Sequence, residues 1–420
     1  MIRLQVNPDV LTASLEHGAL LLNLQTASYY SLDQLGLSVW RDLQSIRTAN
    51  VALRSSWAKF LADLEREQLL VPCLNKTSEG IEPPCTAWHD GGGPRLSKHG
   101  EPLHGAAATL ADSDALPSWA DLRDPPPFVT VIVPVRDGEQ TLGDCLASLL
   151  ASDYPVEHRE IVVVDNNSKD RTAEIIRAFP VRSAWEQQRG ASAARNRGIA
   201  VSQGEILAFT DADCVVTRGW LRELVRGFEG GDTAAVAGEI MAFPPSTKAE
   251  RYMAKRAPRW QCANLCAPQP SIVTASIAFR RTVFEQIGLF DPRLTRAQDT
   301  DFGWRFLRSR QLQLRYSPRA IVLHRHRATT AQFLLHQAKW GYGGALIGSK
   351  YELPSRVQEE LRSYRALLVQ LLRLARTGVR STWHRRDWDD LGYAYFEFLR
   401  QLGRRVGALA WLLAGSRFKR

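Results

Sequence analysis

Six cysteines in a chain of 420 residues, Cys73, Cys85, Cys145, Cys214, Cys262 and Cys266, are too few and too scattered to form a disulfide framework. A reducing compartment is the expectation. Cys262 and Cys266 have a CxxxC spacing, but no second Cys/His pair lies near them, so no structural zinc site is expected. Long apolar runs are missing too. The longest near the end covers residues 406–414, well short of the roughly 20 residues that span a bilayer. The start lacks the charged, apolar and small-residue segments of a secretory signal. A cytoplasmic location is expected. Nor is charge concentrated: the formal net charge is +10, but the basic clusters at 324–327, 385–386, 404–405 and 417–420 are dispersed. No nucleic-acid partner is expected, whereas nucleotide phosphates and an acidic lipid surface both remain compatible. Hydrophobic residues at 45% and charged residues at 23% exclude disorder of the whole, and the length allows two or three domains.

What the chain does have is centred on residues 160–213. Two short apolar runs, 160–164 and 206–209, suit buried strands, and each leads into aspartate. A carboxylate there sits in the crevice where open α/β sheets bind ligands. In the triplet Asp211-Ala212-Asp213, an extended backbone would point both carboxylates to one side, where they could share a divalent cation and, through it, a pyrophosphate.

In chain order, residues 1–72 read as a small domain: a hairpin over 20–32, a helix after Asp33 and a second helix from about Ser56. Residues 73–127 hold eight prolines and a Gly91-Gly92-Gly93 run, a linker composition. From Phe128 a strand–helix alternation predicts a mostly parallel α/β sheet covered on both faces. Beyond residue 330, HQAKWGYGGALIGSKY suggests a lid or acceptor wall at a glycine turn. Helices are expected over 361–374 and 393–413, with arginine-flanked apolar faces that permit membrane-surface docking.

The string HGALLLNLQTASYYSLDQLGLSVWRDL resembles the PqqD-like peptide-chaperone domain. That resemblance implies a winged-helix fold that captures a peptide by strand addition. The ordered set VIVPVRDGEQTL, EIVVVDNNSKDRT, GASAARNRGI, ILAFTDADC, TASIAFRR and AQDTDFGWRF, within residues 128–330, resembles the family 2 glycosyltransferases with a GT-A fold. The resemblance implies the following roles. Pro134, Val135, Arg136 and Asp137 lie against a nucleotide base, and Asp165 accepts a hydrogen bond from it. Arg195 faces the donor, at a helix start that favours negative charge. Asp211 lies near the ribose and the metal, Asp213 on the metal, and His324 supplies a third ligand; Mn²⁺ or Mg²⁺ is the implied ion. Asp299 is the catalytic base, with Asp301 the fallback and Gln298 standing where the family has Glu. Ser276 replaces a common Asn and would alter the acceptor pocket.

The expected activity is therefore metal-dependent, inverting transfer of one sugar from a nucleotide-sugar donor, a UDP-sugar, to a peptide or small-protein acceptor. Two readings stay beside it: a glycan or lipid-linked acceptor, with the protein peripheral at the inner membrane face, and a non-catalytic peptide-binding scaffold.

Overall fold

The computed structural model describes residues 4–6, 10–15, 18–23, 28–32, 63–64, 70–72 and 96–99, then 125–351 apart from Gly230, Pro258, Pro268 and Arg310, then 369, 371–372 and 388–414. Strands β1 (Leu4–Val6) and β5 (Leu70–Pro72) pair antiparallel. Strands β2 (Val10–Leu15), β3 (Gly18–Asn23), β4 (Ser28–Leu32) and β6 (Leu96–His99) form an antiparallel sheet in the order β2-β3-β4-β6. The expected hairpin is the β3–β4 pair. The helices expected after Asp33 and over 361–374 lie largely outside the described residues. Within the Pro/Gly-rich stretch, Leu96–His99 is a strand rather than open chain.

From Val129 the alternation runs as read: β7 (Val129–Val135), α1 (Leu142–Leu150), β8 (Arg159–Asp165), α2 (Thr172–Ala178), β9 (Arg182–Trp185), α3 (Ala191–Val201) and β10 (Ile206–Phe209). Then follow β11 (Cys214–Val216), α4 (Trp220–Arg226), β12 (Thr233–Ala242), α5 (Lys248–Arg256), α6 (Trp260–Leu265), β13 (Ile277–Arg280), α7 (Thr282–Ile287), α8 (Gln298–Arg308), β14 (Gln313–His324), α9 (Thr330–Lys350) and α10 (Trp388–Leu413). The large sheet has the order β11-β14-β12-β13-β10-β7-β8-β9. Its half from β10 to β9 is parallel, and β13 runs antiparallel between β10 and β12. Branched residues fill β7 and β8 because both faces are covered: Val131 and Val133 pack toward α1, while Ile132 joins an aromatic cluster on the opposite face.

That cluster positions the site. Phe302 and Phe306, four apart on α8, are fully buried, and Phe302 stacks on Phe290 with ring centroids 4.5 Å apart. Burial of a phenylalanine contributes roughly 1.5–3 kcal/mol, so these two clamp the first turn of α8, with Asp299, against the sheet. Ser276, expected to alter an acceptor pocket, lies in the core of the sheet. It is fully buried, its Oγ accepting from Trp220 Nε1 at 3.0 Å and donating to the Ala320 carbonyl at 3.3 Å. The smaller side chain is what this core position holds.

The expected glycine turn after Phe333 is instead the middle of the unbroken helix α9. One of its glycines, Gly341, and Gly407 of α10 serve the close packing of the two helices. A Cβ on Gly341 would stand 1.8 Å from the Arg404 carbonyl oxygen, and one on Gly407 would stand 1.8 Å from that of Ala338. Both obstacles are backbone, so Gly407→Ala should force the helices apart and cost about 1–3 kcal/mol. A lowered midpoint in urea unfolding is the check, and an unchanged midpoint would refute the packing role. Tyr252, Phe333 and Phe396 bind this helical pair to α5. The far end of α10 exposes Leu409, Leu412 and Leu413. No helix among the described residues is long and apolar enough to cross a membrane.

Candidate active site

Three groups of polar side chains gather beyond the C-terminal ends of β7, β8 and β10. The first joins two loops. Asp137 N–H donates to Ser168 Oγ at 3.0 Å, and Lys169 N–H returns a bond to Asp137 Oδ1 at 2.8 Å. Gly138 N–H donates to Thr172 Oγ1. Asp170 accepts from the backbone N–H of both Glu139 and Thr172, so it ties the turn before α2 to the neighbouring loop. Asp137 and Asn167 both have positive φ, 52° and 62°, which short polar residues tolerate. Asp165 caps the second loop by accepting from Ser168 N–H. Of the residues expected against a nucleotide base, Arg136 and Asp137 are exposed and Pro134 is half-buried. The Val135 side chain is turned into the core instead, because its strand alternates toward α1; only its backbone lines the loop. Trp185, the register partner of Asp165 on β9, is 56% exposed, unusual for tryptophan. Sequence reading passed over it; its place at the end of a short strand was the available signal.

The second group is Arg195, Asp211 and Asp299. Arg195 is buried on α3, and its Nη2 donates to Asp211 Oδ1 at 2.8 Å. Its Nε and Nη1 are buried without a partner, so two charged N–H directions remain to be satisfied. Burial raises the pKa of Asp299, the Arg195 charge opposes that rise, and the Asp211 charge adds to it. These three groups therefore act on one another.

The third group surrounds Asp213. Its Oδ1 lies 3.5 Å from His324 Nε2 and its Oδ2 lies 3.4 Å from Arg327 Nη2. His324 is buried at the end of β14, register partner of Cys214, and its Nδ1 lacks a partner. The Trp260 ring meets His324 edge-on at 5.4 Å and also contacts His326. Burial, reinforced by the charges of Arg327 and His324, holds the His336 imidazole down to about 3, so it is neutral near pH 7.

Residues 211–213 form a turn, with Cys214 N–H donating to the Asp211 carbonyl at 3.0 Å, rather than an extended segment. The two carboxylates consequently have different partners, Arg195 for one and His324 with Arg327 for the other. Among the described residues, one set of three potential metal ligands converges: Asp213, Cys214 and His324. Burial, with the nearby Asp213 and Asp211 charges, pushes the Cys214 thiol well up, which keeps it protonated and a poor ligand. Asp213 and His324 remain, a carboxylate and an imidazole with an unsatisfied ring nitrogen, which suits a divalent transition ion. Asp211 is committed to Arg195 in this arrangement.

Asp301, the fallback base, serves another purpose. It has no exposed surface and accepts from Lys350 Nζ at 2.6 Å, Tyr351 OH at 2.9 Å and Arg305 Nε at 3.1 Å. It anchors the end of α9 to α8.

Residues 130–288 match the model of the family described as Glycosyl transferase family 2. A glycosyltransferase named AglE from Haloferax volcanii is 34% identical over 181 residues, which are 41% of this chain and 59% of that protein. The pre-mycofactocin glycosyltransferase of Mycobacterium tuberculosis is 26% identical over 285 residues, 63% of this chain and 55% of that one. The chain thus spans somewhat over half the length of these relatives. Among solved structures, a mannosyltransferase from Pyrobaculum calidifontis, in complex with GDP-Man and Mn²⁺, is similar at 18% identity and a TM-score of 0.48, covering 68% of this chain and 87% of that one.

Proposed function

We propose that this chain, whose residues 130–288 form a family 2 glycosyltransferase domain, transfers one sugar from a nucleotide-sugar donor to a peptide or small-protein acceptor with inversion. The observation that carries the reading is the convergence of Arg195, Asp211, Asp213, Asp299 and His324 beyond the C-terminal strand ends of the family-matched segment. Asp165 takes the base through its carboxylate, beside the exposed Trp185 ring. Arg195 and Arg327 supply positive charge toward the diphosphate, where a charge-assisted hydrogen bond is strongest. Asp299 accepts the acceptor's proton, and its raised pKa makes it a stronger base than an ordinary carboxylate. Asp213 and His324 would hold Mn²⁺ or Mg²⁺, which when bound neutralises charge on the departing nucleotide. The peptide acceptor is favoured by the N-terminal sheet and its resemblance to peptide-chaperone domains. The exposed leucines at the end of α10 favour a second reading, a lipid-linked acceptor at a membrane surface.

The test is nucleotide release from a panel of UDP- and GDP-sugars with Mn²⁺, comparing the native chain with Asp213→Asn. Slow hydrolysis that depends on both the ion and Asp213 is the expected result. Release that is equal in the variant, or insensitive to chelation, would overturn the metal assignment.

A further inference from the structure

Among the described residues, Cys145 and Cys214 are buried, whereas Cys262 is half-buried and Cys266 is exposed. The last two sit one turn apart at the end of α6. There the Cys266 N–H donates to the Cys262 carbonyl at 3.0 Å, and the two thiols are hydrogen-bonded to each other. Burial raises the pKa of Cys262, and the nearby Arg259 charge opposes the rise. Cys266, at the surface, is the thiol that a reagent in solution meets first.

The two ends of α6 are held differently. At its start, buried Glu239 accepts from Arg259 Nε at 3.1 Å and from the Gln261 N–H at 3.0 Å, and Gln261 Oε1 accepts from the Val273 N–H at 3.0 Å. At its end, the carbonyl of Asn264, which stands between the two cysteines, accepts from the Ser271 N–H at 3.2 Å. The segment hung on that bond braces α8. The Pro270 carbonyl accepts from Trp304 Nε1 at 3.1 Å, and fully buried Ile272 packs so closely on Gly303 that a Cβ there would stand 2.7 Å from its Cγ1. Asp299 lies in the first turn of the helix so braced.

We propose that Cys262 and Cys266 form a dithiol that a small soluble disulfide, such as oxidised glutathione, converts to an intrahelical disulfide, and that its closure loosens the brace on α8. The Cys266 thiolate attacks one sulfur of the reagent and releases one thiol; Cys262 then attacks the Cys266 sulfur and releases the second. The protein gives up two electrons and two protons, which leave with the two thiols. Helical Cα atoms one turn apart lie about 6 Å from each other, inside the roughly 4.4–6.8 Å that a disulfide spans. The Cβ atoms, about 5–6 Å apart on a helix, have to approach to about 3.5–4.5 Å. The last turn of α6 must therefore tighten. Its start is fixed by Glu239, so Asn264 and its bond to Ser271 give way first. A disulfide strained in this manner is readily reduced, which makes the change reversible. The effect on turnover rests on the transferase reading; the thiol chemistry does not.

The native chain and a Cys262→Ser, Cys266→Ser double variant are treated with oxidised glutathione, alkylated with iodoacetamide and cut with trypsin. Both cysteines fall in one fragment, residues 260–280, because no Lys or Arg lies between Arg259 and Arg280. In the native chain this fragment should lose two hydrogens and take up no alkyl group, and dithiothreitol should restore two alkylated thiols. Two alkylated thiols after oxidation, or glutathione retained on Cys266, would overturn the dithiol. Amide hydrogen exchange over α8 should quicken several-fold on oxidation of the native chain and not of the double variant; unchanged exchange would overturn the link to α8. Nucleotide release with Mn²⁺ is followed on the same samples. Oxidation should lower kcat of the native chain about tenfold or more with donor KM unchanged, because displacing a reacting group by about 1 Å costs as much as 10²-fold. An equal fall in the double variant would also break the link. Release from no form at all would count against the transferase reading, while fragment mass and exchange still decide this one.

Discussion

Asp299→Asn is expected to lower kcat by about 10²–10⁴-fold, the range over which a positioned general base acts, while leaving donor affinity nearly unchanged. The isosteric amide keeps the shape of the first turn of α8 and its Phe302 and Phe306 anchors, so the loss reports the chemistry alone. On this proposal the native chain should show an acid limb in its pH–rate profile, because a base must be ionised to accept a proton. Burial places that limb above the ordinary carboxylate value of 3.8, and the Arg195 charge restrains the rise. Arg195→Leu should therefore move the limb to higher pH. The sign for stability is opposite to that of a paired carboxylate. The folded chain binds this proton more tightly than the unfolded one, so Asp299 lowers stability as pH rises from about 4 through its folded pKa. Full activity in Asp299→Asn, or a limb that does not shift in Arg195→Leu, would remove Asp299 from the role.

Asp301→Ala, two residues away, should produce the other kind of loss. The carboxylate is completely buried and receives Arg305, Lys350 and Tyr351, and Lys350 also reaches Asp291 at 2.8 Å. Removing the buried carboxylate takes away the acceptor that Arg305, Lys350 and Tyr351 share, at a cost of up to about 3–5 kcal/mol, moderated by the bond Lys350 keeps to Asp291. Urea unfolding should show a correspondingly lower midpoint, and molecules still folded should retain turnover. A stable but inactive Asp301→Ala variant would reverse the two assignments.

Much of this could be read from residue order. The strand–helix alternation after Phe128 predicts β7 through β10 because buried parallel strands need continuous apolar runs, and those runs are plain in the chain. Asp165 and Asp213 follow from the same logic, since Asp165 ends β8 and Asp213 stands beyond the end of β10, whereas Asp299, in the first turn of α8, was indicated by the family resemblance alone. Contacts between remote side chains were not legible. Nothing local distinguishes Asp301 from Asp299, because the difference is made by Lys350 and Tyr351 arriving from the end of α9. Ser276 looked like an acceptor residue because its partners, Trp220 and Ala320, are far away in the chain. Gly341 and Gly343 looked like a turn because glycine disfavours a lone helix. The reason it is tolerated is close packing, against Arg404 for the first and Arg296 for the second.

The hydrogen bonds that join the Asp137 loop to the Ser168–Thr172 loop bear on the timing of recognition. The two positive-φ residues and their cross-links are set when the chain folds, before any nucleotide arrives. A base docking there, as proposed, meets loops already cross-linked by these bonds, and the less such a mould rearranges, the more its encounter rate is governed by diffusion and charge. Preference for one base over another then resides in residence time, with correct and incorrect nucleotides entering at similar rates and leaving at different ones.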